Sequence, residues 1–137
     1  MNVSTGVWVS LLVLIIGITL VSADEPSVPD LVGNWTGTSV GHMKDTGYFF
    51  EGTYTYTFVI DEQHGRVFNG TLYEDGVNGH KVYPFSGAIT PNLKNLLIAD
   101  YIKGYNSGLI VNDTVMELVN LIDGNEGLSE ICTLYKE

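Results

Sequence analysis

The amino-acid sequence predicts an all-β fold, an eight-stranded up-and-down antiparallel β-barrel preceded by a hydrophobic N-terminal export helix. Three observations carry this expectation. From Leu31 onward the chain is a series of short β-rich runs bounded by Gly, Asn, Asp or Pro, with no 3.6-residue apolar period of helical length. Within the runs apolar and polar residues alternate, most clearly where Tyr54, Tyr56, Phe58 and Ile60 interleave with Thr53, Thr55 and Thr57. The connections are hairpin-length throughout, whereas the alternative, a two-sheet β-sandwich, needs a long Greek-key crossover.

Composition narrows the class. A chain of 137 residues that is 45% hydrophobic and 16% charged forms one domain with a real core, and is too apolar for a disordered segment. Lys plus Arg number 6 against 16 for Asp plus Glu, a formal net charge of -10. That balance excludes ordinary nucleic-acid binding, because no basic stripe exists to displace counterions from phosphates, and it disfavours anionic lipid headgroups.

The first element is the apolar run from Val7 to Ala23, interrupted only by Ser10, Gly17, Thr19 and Ser22 and followed by Asp24-Glu25-Pro26. Residues 1–23 are read as a signal peptide, with the small residues Val21-Ser22-Ala23 at the cleavage site. The alternative is a retained N-terminal anchor, since Met1 to Gly6 lacks the usual Lys or Arg. Residues 24–30, with Pro26 and Pro29, are an extended linker, and residues 31–137 the barrel domain. Either reading places the domain in a secreted or extracytoplasmic location, touching a membrane only through residues 1–23 if these are uncleaved. Cys132 is the single cysteine, so no intrachain disulfide forms, and its apolar surroundings predict a buried thiol. Three glycosylation sequons follow the export segment, at Asn34, Asn69 and Asn112.

The predicted strands are 31–40, 53–60, 66–73, 81–89, 96–102, 109–111, 114–122 and 128–135. Their alternation turns Trp35, Tyr54, Tyr56, Phe58, Phe68, Tyr83 and Phe85 inward, and these are the candidate ligand-binding residues. Gly33, Gly37 and Gly41 share the face of Trp35, where glycine marks close packing or a bend. In a meander, alternate loops emerge at opposite ends. Loops 41–52, 74–80, 103–108 and 123–127 therefore form one long-loop rim, which gathers His42, Asp45, Tyr48, Glu74, Asp75, His80, Lys103 and Tyr105 while His64 goes to the far end.

Gly33-Asn34-Trp35 at the start of the first strand resembles the Gly-x-Trp signature of the calycin barrels, the lipocalins, fatty-acid-binding proteins and avidins. The resemblance implies a barrel meander closed at one end by Trp35. A lipocalin also carries a basic residue near the end of its last strand to stack on that Trp, and Lys136 is the basic residue here. Biotin binding is not implied, since Trp35 is the only Trp after the export segment. The longer pattern of Gly33-Asn34-Trp35-Thr36-Gly37 with Phe85-Ser86-Gly87 and Met116-Glu117-Leu118 is similar to small exported proteins of methanogenic archaea. That likeness implies location and fold.

Catalytic motifs are absent: there is no Gly-x-Ser-x-Gly elbow, phosphate-binding glycine loop, His-Glu-x-x-His or EF-hand loop. The adjacent acids Asp61-Glu62 and Glu74-Asp75 read as solvated turn residues, and Asp123 to Gly127 as a hairpin turn. The sequence predicts no enzyme, no cofactor and no metal site. The expected function is an exported barrel that binds a small or partly apolar ligand among its aromatics. The alternative is an adhesion or homo-oligomeric assembly module with a filled core, because Leu96-Leu97-Ile98, Leu109-Ile110-Val111 and Leu118-Val119 are apolar on both faces.

Overall fold

The computed structural model describes residues 27–101, 104–125 and 127–137. The expected export helix and residues 24–26 of the linker lie outside the described residues, as do Ile102 and Lys103. The described residues contain no helix; they fold into strands β1 (Gly33–Met43), β2 (Gly47–Phe49), β3 (Tyr54–His64), β4 (Val67–Gly76), β5 (Gly79–Ile89), β6 (Asn95–Asp100), β7 (Tyr105–Asn112), β8 (Val115–Ile122) and β9 (Leu128–Lys136). Every pairing is antiparallel: β1 pairs with both β2 and β3, β3 to β9 pair in succession, and β9 returns to pair with β1 from Trp35↔Lys136 to Met43↔Leu128. The result is a closed eight-stranded barrel in which β2 is a short outer arm on the far end of β1, through Gly41↔Phe49 and Met43↔Gly47. Closure leaves the barrel strands no free edge.

What fills the barrel is a pairing of large side chains with glycines across neighbouring strands. Phe68 stands opposite Gly87 and Phe85 opposite Gly70 on the β4–β5 ladder. Tyr56 faces Gly37, Tyr54 faces Gly76, and Gly108 lies between Leu96 and Leu118. A Cβ at Gly87 would run into the Phe68 ring, and one at Gly37 into the Thr133 carbonyl. Each ring thus lies over a bare stretch of backbone, and Trp35, Phe68 and Phe85 become almost wholly buried. The role expected of Gly37 and Gly41, close packing on the inner face, is the one observed.

The end that receives the linker is closed. Trp35 Nε1 donates to the Leu31 carbonyl at 2.8 Å, and Lys136 Nζ sits 5.4 Å from the Trp35 ring centroid while donating to the Asp30 carbonyl at 3.0 Å. Gln63 ties the linker down, accepting from Leu31 N and donating to the Pro29 carbonyl, both at 2.8 Å. The basic residue expected over Trp35 is therefore in place.

Several strand ends differ from the sequence expectation. Loop 74–80 is a tight hairpin, with β4 and β5 paired as far as Gly76↔Gly79 around Val77 and Asn78. Gly79, at φ 87°, supplies the left-handed backbone that this turn needs. Strand β7 starts at Tyr105 instead of Leu109, because Asn106 pairs with Ile98 and Gly108 with Leu96; residues that read as turn chemistry are inner-face positions. Loop 41–52 is shortened by the continuation of β1 to Met43 and by β2. His42 and His80 consequently lie on strands, and His64 ends β3.

The glycine pairing generates a measurable coupling. Gly87→Ala is expected to destabilise the barrel by about 1–3 kcal/mol through overpacking against Phe68, and much less in a Phe68→Leu background. Urea denaturation of the two single variants and the double variant measures this; strictly additive penalties would show that the residues do not share space.

Candidate functional site: polar mouth and apolar wall

The open end of the barrel is lined differently from the floor. Alternation on β9 carries Leu134 and Cys132 inward and then Glu130, and on β8 Met116 and Leu118 and then Asn120. Glu130 is only 4% exposed. Tyr56 Oη donates to its carboxyl group, 3.0 Å from Oε2 and 3.2 Å from Oε1, and Asn120 Nδ2 donates to Oε1 at 2.9 Å. Nearby Lys81 Nζ donates to Glu74 Oε1 at 3.0 Å. Asn120 Oδ1, turned away from Glu130, is a buried acceptor without a donor among the described residues.

These contacts set the titration of their partners. Tyr56 is held far above the usual tyrosine range, first by burial and then by the negative charges of Glu130 and Glu74, so it remains a donor to Glu130. For Lys81 burial pulls the ammonium down, but its hydrogen bond to Glu74 and that group's charge, with a contribution from Tyr83, outweigh burial and raise it. Burial pushes the Cys132 thiol up to about 12, with Glu130 adding to the effect, which keeps it a protonated, inert thiol at neutral pH.

A cavity of about 750 Å³ lies at the rim over β6 to β8, lined by Asp100, Tyr101, Tyr105, Leu121 and Asp123 among others, but space inside the lumen is limited. A cavity of about 60 Å³ is lined by Tyr54, Tyr56, Glu74, Lys81, Tyr83 and Glu130 among others, and a deeper void of about 20 Å³ by Phe58, Asn106 and Cys132 among others. Drug-sized ligands occupy roughly 300–1,000 Å³. All of the predicted ligand-binding aromatics point inward and are buried, yet only Tyr54, Tyr56 and Tyr83 border the mouth cavity. Phe58 borders the deeper void beside Tyr56, and Trp35, Phe68 and Phe85 border neither.

The predicted rim residues are dispersed. His42 points outward from β1 with its ring 4.8 Å from that of Tyr48. His80 pairs with Asp75 at 2.7 Å and stacks on Tyr73. Strands β3 and β4 separate the two histidines, a distance of about 14 Å along the wall at the usual strand spacing. Asp45 is exposed in the turn after β1, and Tyr105 is exposed at the start of β7. No group of three or more His, Cys, Asp or Glu suited to a metal occurs among the described residues. The adjacent acids diverge as well: Glu74 turns inward to Lys81 while Asp75 turns outward to His80, and Glu62 pairs with His64 at 2.8 Å.

The second feature lies outside the barrel. Leu97, Ser107, Val119, Ile131 and Val40 are register partners in turn across β6, β7, β8, β9 and β1, which makes an uncharged row on the outer wall. Leu121 and Tyr105 extend it towards the rim as another register pair. Beside it, where β2 pairs with the end of β1, lies an apolar groove of about 440 Å³ lined by Val40, His42, Tyr48, Phe50, Val119 and Ile131 among others. Tyr48 and Phe50 protrude at its border, 78% and 75% exposed. The two-sided runs sort accordingly: Leu97 and Leu109 face out, whereas Ile98 is buried and Ile110 packs partly against the core.

With both features in view, the chain was compared with known proteins. No family model matches it, and no curated protein or solved structure matches it either. Its class is defined by its own geometry, a closed eight-stranded antiparallel barrel compatible with a calycin-like fold.

Sequence reasoning passed over Glu130, Asn120, Asn106 and Lys81 as inner-face residues. Glu130, Asn120 and Lys81 each continue the two-residue period of an apolar strand, which is the signal that could have found them, whereas Asn106 falls in predicted loop 103–108 and gives none. The arrangement predicts a cost for breaking the cluster. Tyr56→Phe leaves the buried Glu130 short of a charge-assisted hydrogen bond and is expected to lower stability by about 1.5–3 kcal/mol in urea denaturation at pH 7. A loss within a few tenths of a kcal/mol would show that water replaces the hydroxyl.

Proposed function

We propose that the protein is an exported, non-enzymatic barrel of calycin-like type that works as a homo-oligomeric assembly module through its apolar outer wall. One observation carries this: an uncharged row crosses five adjacent strands on a chain of net charge -10. An isologous interface needs one patch that is complementary to itself. Here knob and hole adjoin, the Tyr48 and Phe50 rings beside a groove able to receive the same rings of a second copy. Burial of about 800 Å² per partner, at about 25 cal/mol per Å² of apolar area, outweighs repulsion between charges left at the rim of the contact. The Trp35 and Lys136 contact on the floor supports the calycin-like reading. Export rests on the run from Val7 to Ala23, with residues 1–23 cleaved or kept as an anchor. An anchor would hold the floor towards the membrane, because the linker enters beside Trp35.

The test is the mass in solution of the domain from Asp24 onward. At micromolar concentration and moderate salt it is expected to be a dimer or larger. Val119→Asp with Ile131→Asp should give a monomer with an unchanged circular dichroism spectrum. A monomeric parent would overturn the assembly reading.

A second reading, binding of a small partly apolar ligand, is favoured by the mouth cavity with its Tyr54, Tyr56 and Tyr83 lining and the donor-free Asn120 Oδ1 beside it. Binding of an apolar fluorescent probe that is weakened by Tyr56→Ala would support it. Equal binding by parent and variant would place the probe on the outer groove instead.

A further inference from the structure

We infer that the floor of the barrel is a glycan-bearing surface, with Asn34, Asn69 and Asn112 as acceptors of N-linked oligosaccharide. The inference rests on the export reading above, since only an exported chain meets a membrane-bound oligosaccharyl transferase. In a strand, residues i and i+2 share a face, so the Asn and Thr of a sequon point the same way. All three Asn side chains are exposed, and the residues between Asn and Thr in the first two sequons, Trp35 and Gly70, take the buried inner positions. A shift of one residue in either strand would have driven a sugar into the packed core. At the third sequon Thr114 N and Oγ1 both donate to Asn112 Oδ1, at 2.9 and 3.0 Å, in an exposed turn.

Position makes the set coherent. Asn34 lies at the beginning of β1, Asn69 near the beginning of β4, and Asn112 at the end of β7, all strand termini at the floor. At about 3.3 Å per residue, Asn34 is roughly 20 Å along β1 from Val40, and Asn112 roughly 17 Å along β7 from Ser107. Sugars on these residues leave the apolar row, the groove and the mouth uncovered. In the transfer, Nδ2 of each asparagine forms a bond to the anomeric carbon of an oligosaccharide carried on a lipid phosphate. The bond from that carbon to the phosphate oxygen breaks, its electron pair leaves with the lipid phosphate, and Nδ2 loses one proton.

The experiment translates the full chain in the presence of glycosylation-competent microsomes, reading protease protection and gel mobility before and after endoglycosidase treatment. The expected result is a protected chain with three stepwise shifts, all removed by the endoglycosidase, one fewer in each of Asn34→Gln, Asn69→Gln and Asn112→Gln, and none in the triple variant. A protected chain without shifts, or shifts that survive in the triple variant, would overturn the inference while leaving export intact. An unprotected chain would overturn export and the inference with it.

Discussion

The barrel depends on the pairing of bulky inner side chains with inner glycines on the neighbouring strand. Eight strands enclose a space just wide enough for side chains to fill, so the question for any such barrel is which residues fill it without collision. Here Phe68 and Phe85 lean over Gly87 and Gly70, Tyr54 over Gly76, and Leu96 with Leu118 over Gly108. Register follows from this: slipping β4 against β5 by one residue would bring a ring against a side chain and turn the inner face of β4 out. The glycines also explain why so aromatic a lining encloses so little space, with voids of about 60 and 20 Å³ near the mouth.

The same inner faces change character along the axis. At the floor, Trp35 is sealed by Leu31, Gln63 and Lys136, with the polar groups of the linker satisfied one by one. At the mouth, β8 and β9 replace Leu118 and Cys132 by Asn120 and Glu130, and β4 and β5 contribute Glu74 and Lys81. Burying a carboxyl group is costly unless donors reach it. Tyr56 and Asn120 supply them, from strands on opposite sides of Glu130, so the polar cluster ties β9 to its neighbour β8 and, over the intervening β1, to β3. Mouth and floor therefore differ in kind: the first is a hydrogen-bonded network beside open space, the second a packed seal.

The eight strands of the barrel wall, their order, the inner aromatics and the buried Cys132 were legible in the sequence, because each is written in the two-residue period and in the hairpin spacing; the three-residue β2 was not. Nor were the strand ends. Gly76, Gly79 and Gly108 carry turn chemistry in isolation, and only the ladder partners Tyr54, Leu96 and Leu118 show that Gly76 and Gly108 serve the core. The polar mouth was missed for the opposite reason: Glu130 and Asn120 obey the period but violate the rule that polar residues face water. The rim constellation of His42, Asp45, His80 and Tyr105 shows a different limit, since sharing an end of a barrel does not make residues converge around its circumference.

Surface partition gives the fold its functional logic. Outward positions alternate with a lining already committed to filling the core, so they are free to specialise, and they do so by region. The wall from β6 round to β1 carries Leu97, Val119, Ile131 and Val40 without a charge in the row. On the ladders of β3 to β5 the outward positions carry hydrogen-bonded carboxylate and imidazole groups instead, Glu62 with His64 and Asp75 with His80. At a net charge of -10 the repulsion between copies offsets part of the aggregation hazard of an apolar wall. The β2 arm sharpens the match. It exists because β1 runs beyond its pairing with β3 and needs a partner for Gly41 to Met43, and in meeting that need it lifts Tyr48 and Phe50 to the border of the groove. A feature required to finish a ladder thus becomes the most protruding apolar element of the wall.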